Sequence, residues 1–363
     1  MTAQTLGVEE EFHLVDPATG ALAASSTVAD AAVLGQAGPH VQPEISTTQL
    51  ETATGVCTTL AEVRAALQET RGEAVKAAQS DGLTVLAAST HPSSAVGDLV
   101  LTDAPRYRVM VERWAGLATG QDICGTHVHV GVDDLDTAVH VMDRARPWLP
   151  LLLAMTGSSP FHQAADTGYE SWRTVWWSRW PVSGPPDQLG DAAGYRDVVR
   201  QLVASGMVPD GSQLYWDLRP STHVPTVEFR GADVCTDLDD VVLHAALCRS
   251  LVAVLARDTA PAPQIRPEVL RAARWKAARA GLTGELFDPA TTELVPAGTA
   301  VRSLLTVVRD DLDERGDLDE VTALTEQLLA RGTSAARQRR TMHRTGDAGA
   351  VVRDLLEVGG TAV

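Results

Sequence analysis

The order of elements along this chain predicts an α+β fold, an antiparallel sheet with helices on one face. Strand patterns dominate before about residue 230 and helical periodicity dominates after it. That ordering suits segregated strands and helices better than alternating βαβ units. Neither GxGxxG nor GxxxxGK[ST] occurs, so any nucleotide is bound without a Rossmann turn or a P-loop.

Taken in order, residues 6–14 alternate as a half-buried strand: Leu6, Val8, Phe12 and Leu14 share one parity, and alternate residues point to opposite faces. Asp16-Pro17-Ala18-Thr19-Gly20 is a turn signal. Residues 44–54 read as a second extended region ending at Gly55. Thr59-Leu60-Ala61-Glu62 is a capping box, followed by apolar residues at helical spacing (Leu60, Val63, Leu67, Ala74). A short apolar strand is expected over 83–88. A helix is expected over 106–117, behind Pro105. Residues 123–132 form a strongly patterned strand, and 135–155 a helix interrupted at Pro147 and Pro150. Residues 158–186 are irregular and aromatic-rich, long for a passive connection. A helix over 195–204 and strands over 214–219 and 226–230 complete the sheet-rich part. Helices follow over 238–257, 267–280, 300–313, 319–330 and 351–358. The reading is a single domain over 1–363, sheet-rich over 1–235 and helical over 236–363.

The 363 residues include 44% hydrophobic and 21% charged side chains, enough for a large core. A net charge of -17 argues against nucleic acid or an anionic membrane as the main partner. It does not argue against a nucleotide held by local cations. No basic stretch precedes an apolar one at the start. The most apolar runs, 148–155 and 241–256, fall short of the roughly 20 residues of a membrane span or are interrupted by charge. Cys57, Cys124, Cys235 and Cys248 lie far apart without a CxxC pair. They read as buried thiols in a reducing cytoplasm.

Three strands carry chemistry. In the first, Glu9, Glu11 and His13 project from the face opposite Phe12. Two carboxylates about 7 Å apart on one strand face repel unless something positive lies between them. A solvated acidic edge strand is the other reading. In the second, Gly125, His127, His129 and Gly131 share a face, with valines behind. Glycines flanking two imidazoles suggest close approach of a ligand, and a pair of hydrogen-bonded core histidines is the alternative. In the third, Glu228 and Arg230 share a face opposite Val227 and Phe229, either as part of a solvated sheet or as a ligand and a phosphate clamp. Thr47, Gln49 and Glu51 share a face of the 44–54 region. Glu44 has the wrong parity, so a bulge or tight turn is required to bring both glutamates to one side. Together Glu9, Glu11, Glu44, Glu51, His127, His129, Glu228 and Arg230 read as a site for several Mg²⁺ or Mn²⁺ ions with mostly oxygen ligands.

These motifs, Gly-Val-Glu-Glu-Glu-Phe (7–12), Gln49-Leu50-Glu51, Gly-Thr-His-Val-His-Val-Gly (125–131), Asp166-Thr167-Gly168-Tyr169, Arg179-Trp180-Pro181, Tyr215-Trp216-Asp217-Leu218-Arg219 and Val227-Glu228-Phe229-Arg230, resemble the YbdK-like carboxylate–amine ligases, glutamate–cysteine ligase type 2. The likeness continues through Leu270-Arg271-Ala272-Ala273 and Ala335-Ala336-Arg337-Gln338-Arg339. It implies a glutamine-synthetase-like fold, a curved antiparallel sheet with helices behind. It also implies an ATP-dependent ligase that forms an amide through an acyl phosphate and releases ADP and phosphate.

By motif, the resemblance makes Glu9, Glu11, Glu44, Glu51, His127 and Glu228 metal ligands. His129, Arg230 and Arg337 become nucleotide contacts, and Arg230 and Glu51 the residues that act on the reacting groups. Arg173, Arg179 and Arg219 are candidates for binding a substrate carboxylate. Trp172, Trp176, Trp177 and Trp180 either line the amine side or form an ordinary packed loop. Arg337, Arg339 and Arg340 are read either as phosphate contacts or as a solvated helix face. The chain departs from the family pattern at His162-Gln163-Ala164-Ala165 and at Glu170, which leaves the amine open. A metal-dependent hydrolase and an ATP-binding sensor without turnover are the competing readings. Expected partners are a small acid, an amine and ATP, with homo-oligomerisation left open.

Overall fold

The computed structural model describes residues 4–93 and 99–362. β1 (Leu6–Val15) is the hub, pairing antiparallel with three other strands. After it come α1 (Ser26–Val33), capped by Ser25, and a hairpin of β2 (Val41–Pro43) and β3 (Gln49–Ala53). This hairpin replaces the continuous extended region expected over 44–54. Glu44 sits beyond the end of β2 and Glu51 lies on β3, so a turn separates them. α2 (Leu60–Gln79) starts at the expected capping box, Thr59 with Glu62, and leads to β4 (Thr84–Leu86).

The helix expected over 106–117 is two pieces, α3 (Pro105–Trp114) and α4 (Gly116–Thr119), broken where Ala115 takes φ 45°. β5 (Gly125–Gly131) follows. The prolines at 147 and 150 divide the next helical stretch into α5 (Leu135–Ala145), a 3₁₀ turn (Arg146–Trp148) and α6 (Leu149–Thr156).

The irregular 158–186 stretch holds a small hairpin, β6 (Phe161–His162) with β7 (Ala165–Asp166), and α7 (Trp172–Trp177). α8 (Ala192–Ala204) precedes β8 (Leu218–Pro220) and β9 (Thr226–Asp233). Only the last part of the strand expected over 214–219 joins the sheet. Then come α9 (Leu238–Arg257) and α10 (Pro267–Ala280), followed by the hairpin of β10 (Glu285–Asp288) and β11 (Glu293–Pro296), which no sequence signal announced. α11 (Ala297–Arg315), α12 (Leu318–Arg331), α13 (Ser334–Thr345) and α14 (Ala348–Gly359) end the described chain.

The main sheet has the order β2-β3-β1-β5-β9-β8, with β4 beside the C-terminal end of β1, and every pairing is antiparallel. The α+β class is therefore the one observed. One face is apolar. Leu6, Val8, Val128, Val130, Val227 and Phe229 pack against Val63 and Leu67 of α2, Met142 of α5, Leu151 of α6 and Val242 of α9. Each such side chain contributes about 1.5–3 kcal/mol on full burial. The same cluster runs on to Leu304 of α11 and Leu328 of α12, so the sheet-rich and helical parts share a core. All four cysteines are buried and free. Among the described residues, no helix is long and apolar enough to cross a membrane.

Glu10 interrupts the apolar face of β1, and it is buried. Its carboxylate accepts two hydrogen bonds from Arg71 of α2, at 3.0 and 2.6 Å. Arg71 also donates to the carbonyls of Cys235, Thr236 and Gly359. One guanidinium thus ties β1 and α2 to the chain after β9 and to the end of α14, with both charges matched.

Candidate active site

The other face of the sheet gathers the motif residues in rows. Glu51 stands opposite Glu11, and Glu9 opposite His127. His129 faces Gly7 on one side and Glu228 on the other, and Glu228 faces Arg219. The β5–β9 register shifts between Thr126 and Val128. Such a bulge re-aims neighbouring side chains, here beside His127.

His127 Nδ1 lies 3.0 Å from Glu9 Oε2, and His127 Nε2 lies 3.8 Å from Glu11 Oε1. His129 Nδ1 is 2.8 Å from the Thr226 hydroxyl, while its Nε2 lies 3.2 Å from Glu9 Oε1 without hydrogen-bond geometry. Burial, then the Arg230 charge, lowers the His127 pKa to about 4, so this imidazole is neutral. A neutral His127 that donates through Nδ1 to Glu9 turns the bare lone pair of Nε2 toward Glu11.

The carboxylates divide into two groups. Burial pushes Glu9 up, but the His127 hydrogen bond and the nearness of both imidazoles outweigh it and hold Glu9 well below the usual range. Burial likewise opposes ionisation of Glu228, and Arg230 and Arg219 overcome it. Arg219 Nε donates to Glu228 at 2.8 Å, and Arg230 pairs with the other Glu228 oxygen. The remaining three lack such support. Glu11 is raised to about 7 by burial and then by the Glu44 charge, although it accepts the Gly125 N–H at 2.6 Å. Glu44 is raised by burial, with its carboxylate turned back onto the Ile45 N–H. Glu51 is raised furthest, by burial and then by Glu9, Glu44 and Glu11. Among the described residues, no Lys or Arg nitrogen lies within 4.0 Å of Glu11, Glu44 or Glu51.

Like charges packed this way suit a divalent cation. Glu9, Glu51 and His127 offer ligand atoms all within 4.8 Å of one another, and so do Glu9, His129 and Glu228. The two groupings share Glu9. Glu11 and Glu44 fall outside both groupings as the side chains stand. His129, expected at phosphate, is as well placed for a metal ion.

The arginines divide too. Arg230 and Arg219 belong to the cluster through Glu228. Arg219 is further braced by the carbonyls of Ser212 and Leu214. Arg173 of α7 is buried, reaches the Arg230 carbonyl at 3.3 Å, and has its Nε unpartnered. A Cβ on Gly125 would collide with the Arg173 guanidinium, and one on Gly131 would collide with Thr5. Both glycines therefore admit protein atoms, which corrects the ligand-space reading of them. Arg179 instead lies over the Trp176 ring, 4.0 Å from its centroid. Arg337 contacts Asp354 at 3.4 Å, and Arg339 holds Asp166 and Glu170.

Of the four tryptophans, Trp177 and Trp180 pack with Tyr215 in an aromatic cluster, as in the packed-loop reading. Trp172 and Trp176 lie against His162 with their indole N–H groups unpartnered. The sequence reading passed over Arg106, whose charge acts on both Glu44 and Glu51 while its Nη2 donates to the Pro43 carbonyl at 2.9 Å. Its place at the start of α3, in the helix facing the β2–β3 turn, gives no periodic signal.

The fold, an antiparallel sheet backed by helices, is similar to that of solved structures. A bifunctional glutathione synthetase from Pasteurella multocida superposes with a TM-score of 0.71 at 14% identity, over 98% of this chain and 52% of that one. This chain thus spans about half of that protein. A glutamate–cysteine ligase from Francisella tularensis, solved in complex with AMP, gives 0.72 at 14% identity, over 98% and 88%.

The sequence then narrows the class. Residues 5–354 match glutamate-cysteine ligase family 2, and the chain belongs to that family. "Putative glutamate--cysteine ligase 2-1" of Saccharopolyspora erythraea is 44% identical over 97% of this chain and 94% of its own length. The protein of the same name from Nocardia farcinica is 41% identical over 98% and 93%. This is an ATP-dependent carboxylate–amine ligase of the glutamate–cysteine ligase kind.

Proposed function

We propose that the chain joins the γ-carboxylate of glutamate, or of a similar acid, to an amine such as that of cysteine. The supporting observation is the set of carboxylates around Glu9, two of whose groupings have ligand spacing while Glu11, Glu44 and Glu51 lack a contacting cation.

The chemistry starts from two obstacles. A carboxylate is a poor electrophile, and it must approach an anionic triphosphate. Transfer of the γ-phosphoryl group of ATP to a carboxylate oxygen gives an acyl phosphate and ADP. Attack by the uncharged amine nitrogen on the acyl carbon then forms the amide, expels phosphate and sheds a proton. Mg²⁺ or Mn²⁺, when bound, supplies the charge neutralisation that lets the two anions meet. Glu9, Glu51 and His127 would hold one ion and Glu9, Glu228 and His129 another, with Glu11 and Glu44 completing the shells.

Arg230 is fixed by Glu228 and contributes positive charge to the transferring phosphoryl group, an effect worth several kcal/mol in such sites. Glu228 has two tasks, orienting Arg230 and offering an oxygen to a cation. Arg173 is the arginine we assign to the substrate carboxylate, because its buried Nε is free while Arg219 is committed to Glu228 and two carbonyls. Arg179 and Arg337 receive no role in this scheme. The setting we assign is the cytoplasm, where four free, buried thiols stay reduced.

A coupled ADP-release assay over panels of acids and amines with Mg²⁺ tests the reading. Amine-dependent ADP with at least one pair is expected. Nucleotide binding without amine-dependent ADP for any pair would overturn it in favour of a sensor.

A further inference from the structure

Asp233, the last residue of β9, is fully buried and belongs to neither metal grouping. Among the described residues, no Lys or Arg nitrogen lies within 4.0 Å of its carboxylate. Three donors hold it instead. The Ser158 N–H and the Ser159 hydroxyl donate to Oδ2 at 2.9 and 2.7 Å, and the Ser171 hydroxyl donates to Oδ1 at 2.6 Å. Ser158, Ser159 and Ser171 are themselves buried.

Each of the two hydroxyls has a second task. Ser159 Oγ accepts the Arg173 N–H at 3.0 Å, and Ser171 Oγ accepts the Thr174 N–H at 3.2 Å. A hydroxyl has one proton, so giving it to Asp233 leaves its lone pairs for the backbone. The carboxylate thus sets the direction of two bonds on the first turn of α7. Capping alone does not need it. Ser171 is already the N-cap of this six-residue helix, and a buried carboxylate without a contacting cation is costly.

Arg173 is the residue that this arrangement places. In the β5–β9 ladder Asp233 pairs with Gly125, and the Arg173 guanidinium fills the space that a Gly125 side chain would take. Gly125 in turn donates its N–H to Glu11. Asp233 therefore holds the backbone of Arg173 while its ladder partner leaves room for the guanidinium, beside the acidic cluster. The Arg173 charge is also foremost among the influences that oppose the rise of the Asp233 pKa on burial. We propose that Asp233 is a positioning residue of the acid site, fixing α7 through Ser159 and Ser171 so that Arg173 meets the substrate carboxylate. Its bearing on ligation rests on the role proposed for Arg173 toward the acid.

The full chain is assayed for ADP release, with the acid varied at saturating Mg²⁺, ATP and amine. Asp233→Asn puts a donor where the site supplies donors, and should raise KM for the acid about tenfold while kcat changes less than about threefold. In an Arg173→Met background the same substitution should change KM less than about twofold, because its effect passes through Arg173. A crystal structure of Asp233→Asn should show the Arg173 guanidinium displaced from Gly125 by about 1 Å or more, with Glu9, Glu51 and Glu228 in place. Should that variant fail to fold, Ser159→Ala removes one link and is expected to raise KM about threefold, again only where Arg173 is present. Equal effects in both backgrounds, a loss of kcat with KM unchanged, or an unmoved guanidinium would each overturn the proposal. A wild-type KM in Arg173→Met alone would retire the carboxylate role of Arg173 and with it the substrate part of the proposal, while a displaced guanidinium would still support the positioning part.

Discussion

The two faces of β1 treat the same residue type in opposite ways. Glu10 points into the helices and meets Arg71 with two hydrogen bonds, so a buried charge is cancelled by a buried charge and the pair acts as a structural tie. Glu9 and Glu11, its immediate neighbours, point to the other face and meet histidines and further glutamates. There the protein accumulates negative charge that it does not neutralise by direct contact at Glu11, Glu44 and Glu51. Adjacent carboxylates in one strand thus meet opposite surroundings according to what the sheet places beside them.

The comparison breaks most visibly under Glu51→Gln. This change leaves the fold intact and should lower turnover at least ~10³-fold, about 4 kcal/mol, by removing a ligand atom. A steady-state assay beside a thermal melt checks it, and turnover within threefold of wild type would remove Glu51 from the metal site. Glu10→Gln should do the reverse. Leaving Arg71 buried against a neutral amide costs on the order of 3–5 kcal/mol of folding stability, read by denaturant unfolding, while Mg²⁺ affinity in the folded protein stays unchanged.

Next in size is the metal itself. Mg²⁺ at 100 times its dissociation constant should stabilise the protein by about 2.7 kcal/mol, and Glu51→Gln should lose most of that gain while Glu10→Gln keeps it. Gly125→Ala forces Arg173 away from the sheet and should cost about 1.4 kcal/mol, tenfold in kcat/KM for the acid, with KM carrying most of the change.

The smallest effect is on pH. Glu11 is raised to about 7 in the folded protein, above its unfolded value of 4.5. The metal-free protein therefore holds a proton there that the unfolded chain has lost, and its stability falls as pH rises through about 7. Saturating Mg²⁺ should remove that loss, and a melting series from pH 6 to 8 with and without metal reads both.

The acidic face was legible because strand parity is local. Glu9 with Glu11, His127 with His129, and Glu228 with Arg230 are each two residues apart, and alternation alone puts each pair on one side. What failed was whatever depends on distant partners. The role of Glu10 needs Arg71, 61 residues on, and nothing in the apolar run around it shows that a helix will bring a guanidinium there. Gly125 and Gly131 signalled close approach, but Arg173 and Thr5 occupy the space, and only the assembled sheet shows which atoms come near. Glu44 carried a parity conflict that the β2–β3 turn resolves. The β10–β11 hairpin is short and mostly exposed on β11, so it lacks the apolar alternation that marks a buried strand.

The central claim is that Glu9 stands between two cation sites on the polar face of the sheet. Anomalous diffraction from crystals grown with Mn²⁺ and a non-hydrolysable ATP analogue tests it most directly. Manganese peaks contacted by Glu9 together with Glu51 and His127, and by Glu9 together with Glu228 and a histidine, are the expected result. Peaks that leave Glu9 without a metal contact, or no manganese on this face with nucleotide bound, would contradict it.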